Sequence, residues 1–86
     1  MGLDTVELVM EFEEAFDLEI PNSVAAEMAT PRHVRDFVIA EYARRGHQAD
    51  PDAVFEKIRH LTAEIGNMKP EEVTLDSQFV HDLGLD

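Results

Sequence analysis

Ser77 and His81 stand four residues apart, the spacing at which two side chains meet on one face of a helix. A serine beside a histidine is the beginning of a nucleophile and its base. A working site would also need an acid to orient the imidazole and donors for an oxyanion, so the pair reads as surface or loop-fixing groups. His33, His47 and His60 occur singly and are expected to be exposed. The chain has no cysteine, and it carries no metal-ligand spacing and no glycine-rich phosphate loop. Glu13, Asp17 and Glu19 are near enough to hold Ca²⁺ or Mg²⁺ weakly, but a solvated acidic rim is the plainer reading and no metal site is assigned. The chain is therefore not read as an enzyme.

The remaining signal is charge. Nineteen acids face seven bases for a net charge of −12, and residues 1–31 hold eight acids and no Lys or Arg. Such a surface repels nucleic acid and anionic membranes and attracts partners with basic patches. Acidity also keeps a small protein soluble, and composition alone does not separate the two. Self-repulsion at this charge has a thermal consequence: added salt or divalent cations are expected to raise the melting temperature. A flat response in a thermal melt against salt would sink this account.

Elements must position these charges. Residues 3–16 read as a helix. At 100° per residue, Asp4, Glu7, Glu11 and Glu14 fall within about 80° of arc. Val6, Leu8, Val9, Phe12 and Phe16 are expected to face the core, with Leu3 and Met10 partly exposed beside the acidic stripe. The stripe reads either as a docking surface or as a solvated face. The helix should stop around Asp17, because Pro21 forbids easy continuation. A short helix is expected at 22–28, capped by Asn22 or Ser23, with Val24 and Met28 inward. Thr30-Pro31 opens a helix over about 30–45 that Gly46 closes. Asp50-Pro51 opens another, with Val54, Phe55, Ile58, Leu61 and Ile65 on one face and Gly66 ending it.

Residues 67–86 carry no long periodic element, though Pro70-Glu71-Glu72 could make one turn. Yet Val73, Leu75, Phe79, Val80, Leu83 and Leu85 need burial, each worth about 1.5–3 kcal/mol, so this segment must fold back onto the helices. The expected architecture is a small all-α bundle in a single domain spanning 1–86. No apolar run approaches a membrane span and no signal peptide is read, which with the absent cysteine suits a cytoplasmic, reducing setting.

Long stretches resemble bacterial acyl carrier proteins of fatty acid synthesis. Leu3-Asp4-Thr5-Val6-Glu7-Leu8-Val9-Met10, running through Phe16 to Glu19-Ile20-Pro21, resembles their second helix. Thr30-Pro31-Arg32 through Phe37-Val38 resembles their last, and Val54-Phe55-Glu56-Lys57-Ile58 their first. Lys69-Pro70-Glu71-Glu72-Val73-Thr74, Asp76-Ser77-Gln78-Phe79 and Asp82-Leu83-Gly84-Leu85-Asp86 resemble the long loop that joins helices one and two. The order differs from the family's. Residues 1–46 resemble helices two to four, 47–50 form a linker, and 51–86 resemble helix one and the loop. This is the pattern of a circular permutation: the family's usual ends meet in the 47–50 connection, and the new ends fall between Asp86 and Leu3, near-neighbours in the family's chain.

The resemblance implies a carrier scaffold for fatty acid or polyketide synthesis with a cleft for an acyl chain. It implies an acidic helix (Leu3, Asp4, Glu7, Met10, Glu11, Glu13, Glu14) that meets basic partner enzymes and a phosphopantetheinyl transferase. The family carries 4′-phosphopantetheine on a serine in an Asp-Ser-Leu sequence, at a helix N-terminus that favours an anion. Here Asp86, Gly2 and Leu3 occupy that neighbourhood. Gly2 stands where the serine is expected and has no hydroxyl, so the chain is expected to carry no such cofactor. Ser77, Ser23 and Thr5 lie at other positions and are not expected to substitute. Two readings compete: a carrier whose serine was lost when the ends were moved, as in an engineered permutant or a unit cut out of register from tandem carriers, and a natural serine-less interaction module. The chain is expected to be a monomer, or a swapped dimer if residues 67–86 dock on a neighbour.

Overall fold

Each helix begins and ends where local chemistry directs it. The computed structural model describes residues 3–85, of Leu3 the backbone only. It contains α1 (Leu3–Phe16), α2 (Asn22–Ala25), α3 (Pro31–Arg44), α4 (Pro51–Gly66) and a 3-10 turn at Pro70–Glu72, with no strand among the described residues. Thr30 caps α3 by accepting from the backbone N–H of His33, and Asp50 caps α4 by accepting from that of Asp52. Both helices carry proline in the first turn, where a missing N–H costs nothing. Gly46 ends α3 at φ +76°. The His47 N–H reaches the Tyr42 carbonyl and the Gly46 N–H that of Ala43, the paired bonds of a left-handed helix stop.

Four sequence expectations need correction. Neither Asn22 nor Ser23 caps α2. Pro21 occupies the cap position, its carbonyl accepts from Val24 and Ala25, and the helix spans only Asn22–Ala25. Gly66 is the last residue of α4 rather than its stop, and the left-handed position is Asn67 at φ +54°. Asparagine tolerates that conformation, and glycine is used one residue earlier for a close approach. A Cβ on Gly66 would run into Met68 Cε and lie 3.1 Å from Leu85 Cδ2.

The third correction falls on Val6, which is 42% exposed. Leu8, Phe12 and Phe16, spaced by four, form the buried line of α1. Val6 lies roughly 120° around the helix from Phe12, beyond the reach of the neighbouring elements. Val9 sits between and packs partly against the core.

The core gathers on α4, which packs against both α3 and α1. Ile58 is fully buried, with Val34 and Val38 of α3 and Phe12 of α1. The far ends of α1 and α3 are tied together. Asp17 turns the chain at φ +53°, the Tyr42 hydroxyl donates to the Phe16 carbonyl at 2.7 Å, and Arg45 Nη1 donates to the Asp17 carbonyl at 3.0 Å. Tyr42→Phe keeps the edge-on ring contact with Phe16 but leaves that carbonyl unpaired. It is expected to cost about 1 kcal/mol, read as a lower urea midpoint at unchanged slope; an unshifted midpoint would show that the bond contributes nothing.

The segment after α4 returns across the bundle. Arg59 stacks on Phe55 at 4.5 Å and donates to the Val73 carbonyl, holding Val73 fully buried. Phe79 and Leu85 are buried and Leu83 packs partly on the core. Val80 departs from expectation at 51% exposed, because it follows Phe79 on a turn whose inward direction Phe79 already fills.

Candidate functional site

Two features share α1: an acidic outer face and an apolar cleft beneath it. On the outer face Glu7 and Glu14 are exposed, Asp4 and Glu11 are half-buried, and Met10 is 61% exposed. Among the described residues no Lys or Arg forms an ion pair with Glu7, Glu11 or Glu14. Their charge is therefore turned to solvent. Glu13 differs: its Oε2 accepts the Ile20 N–H at 2.8 Å and fixes the turn after α1. The exposed Val6 and Val80 add apolar surface that the sequence reading assigned to the interior. For Val6 the helical angle relative to Leu8, Phe12 and Phe16 was the available signal.

The cleft has a volume of about 570 Å³. Leu8, Val9 and Phe12 of α1, Ala25 of α2, Met28 and Val34 line its apolar wall, and Phe79 closes one side. Phe12 and Phe79 meet with ring centroids 6.4 Å apart. Thr5, in the first turn of α1, lines the cleft together with Gln78, Val80 and His81, the last three of which are exposed. The beginning of α1 and the last turns of the chain thus border one space, though they are remote in sequence.

The other candidate residues fall as follows. Gly2 and Asp86, and the side chain of Leu3, lie outside the described residues. Glu13, Asp17 and Glu19 border a second depression of about 730 Å³, where Arg44 and Arg45 stand among them. Among the described residues no group of three or more His, Asp or Glu converges as a metal site would. Ser77 is buried, and its Oγ accepts the Thr74 N–H at 3.0 Å and lies 2.8 Å from Thr74 Oγ1. It braces a turn, while His81 is exposed on the cleft. His33, His47 and His60 are exposed.

One ion pair stands out by geometry. Arg32 Nε and Nη2 donate to the two carboxylate oxygens of Asp76, both at 2.9 Å. The hydrogen bond from Arg32 holds the Asp76 carboxyl below its ordinary range and raises the guanidinium above its own. A carboxyl lowered in the folded state stabilises above its unfolded pKa, and that contribution is lost as pH falls through the folded value. Asp76 is exposed, so solvent screens the effect.

Part of the chain is similar to an acyl carrier protein. A stretch of 38 residues, 44% of the chain, is 51% identical to the acyl carrier protein of Cyanidioschyzon merolae. The match covers 42% of that relative, less than half its length. No family model matches the chain, and no solved structure matches it. Among the described residues no helix is long and apolar enough to cross a membrane. The acyl carrier protein likeness and the all-helical architecture therefore agree with one another.

Proposed function

We propose that this chain is an acyl-carrier-like scaffold whose segments run in permuted order, and that it docks basic enzymes of fatty acid or polyketide synthesis without itself catalysing a reaction. The observation that carries the reading is the packing of Phe79 on Phe12 around a cleft bordered by both Thr5 and His81. A bundle of this kind needs the same contacts whichever way the chain is threaded, and new ends are tolerated at exposed joints. The 38-residue similarity supports it too, because a linear comparison of a rearranged chain breaks where the family's ends are joined, at 47–50. Residues 1–46 and 51–86 are then two arms of one domain joined by 47–50.

Docking would fall to Asp4, Glu7, Met10, Glu11 and Glu14, and by the resemblance to Leu3, where the unpaired Glu7, Glu11 and Glu14 flank the exposed Met10. Glu13 contributes less, since its carboxylate is committed to the Ile20 N–H. The cleft would take an apolar acyl chain. Gly2 offers no hydroxyl for a phosphodiester, and this chain would carry no 4′-phosphopantetheine. Incubation with CoA and a phosphopantetheinyl transferase, followed by intact-mass measurement, should give no mass gain. A gain mapped to any residue would overturn the reading of Gly2.

A further inference from the structure

We propose that residues 75–83 form a strap that opens as a unit to expose the apolar cleft, and that the Arg32–Asp76 pair is its latch. The strap has no helix and lies between two anchored points. Val73 is buried and held through its carbonyl by Arg59, and Leu85 is buried beside Gly66. Gly84, at φ +69°, supplies a swivel at the far end. Inside the strap, the Asp82 carboxylate accepts the Gln78 N–H at 2.8 Å, and the Leu83 N–H reaches the Gln78 carbonyl at 3.1 Å. These bonds survive when the strap lifts, so it moves as one piece.

Its polar attachments to Ala29 and to α3 lie along one edge, and at the far end the Phe79 carbonyl accepts the Leu85 N–H at 2.9 Å. The Arg32 N–H donates to the Leu75 carbonyl at 3.0 Å and the Phe79 N–H to the Ala29 carbonyl at 2.9 Å. The bidentate Arg32–Asp76 pair sits beside them at the surface. Arg35 of the same helix adds attraction toward Asp76, while Asp36 acts on Arg32. Phe79 is the apolar weight that opening withdraws from the cleft. The pair is the one of these attachments that salt weakens. This inference concerns motion of the free chain and holds whether or not the chain acts as a carrier.

Amide hydrogen exchange on the native protein tests it, comparing the Phe79 and Arg32 amides with that of Ile58 in the middle of α4. Raising salt to roughly 0.5 M should speed Phe79 and Arg32 about threefold relative to Ile58, a size consistent with an exposed pair of good geometry. Asp76→Asn should produce the same relative increase at low salt and remove the salt response. Arg32→Asp combined with Asp76→Arg should restore part of both, because Arg35 and Asp36 then act against the reversed pair. The proposal fails if Phe79 exchanges at the rate of Ile58 in every variant, which would mean that the strap opens only with the whole bundle. It also fails if Asp76→Asn leaves the rate and salt response of Phe79 unchanged.

Discussion

Phe79→Ala is expected to lower the unfolding free energy by about 3–5 kcal/mol, the largest stability effect expected here. Phe79 is 4% exposed and meets Phe12 across the seam between the chain's last turns and its first helix. A small domain holds about 5–15 kcal/mol in all, so the variant should sit near the edge of folding. The backbone bond from Phe79 to Ala29 survives the substitution, and the new void merges with the existing cleft. Both considerations favour the lower end of the range. Urea unfolding should show an earlier midpoint at similar slope. Val80→Ala, one residue on at 51% exposed, should stay within about 0.5 kcal/mol. Equal, small effects for both would mean that the terminal segment does not pack on α1.

The largest functional effect is expected at Gly2. If the chain is a carrier whose attachment serine was displaced, Gly2→Ser should convert a protein that takes up no 4′-phosphopantetheine into one that takes up a full equivalent from CoA and the transferase. Position matters more than residue type in such a transfer. A phosphodiester ahead of α1 would meet the positive end of the dipole of a helix that runs from Leu3 to Phe16. Intact mass gives the yield, and peptide mapping gives the site. Ser77→Ala in the same background should leave labelling unchanged, because Ser77 is buried and bound to Thr74. Failure of Gly2→Ser to label, in a variant that remains folded, would favour a natural interaction module over a carrier with moved ends. Labelling of the unaltered chain would remove the basis for both.

The sequence by itself determined where α3 and α4 begin and where α3 ends. Thr30-Pro31, Asp50-Pro51 and Gly46 act within a few residues of themselves, so their effect is legible without neighbours. The return of residues 67–85 was legible as well, because wet Phe79 and Leu85 would be too costly. Even so, the sequence left open where each side chain of that segment would land. Only the tertiary structure decided that Phe79 is buried while Val80 is exposed, and that Val6 lies outside the arc the other elements cover. It alone showed that Gly66 serves Leu85 and Met68 and leaves the stop to Asn67. It alone joined Arg32 to Asp76, and it committed Glu13 to a turn while leaving Glu7 and Glu14 free. The physical reason is one of range: caps and stops are settled by bonds between near neighbours, whereas burial and pairing across 44 residues depend on which surfaces meet once the bundle has closed.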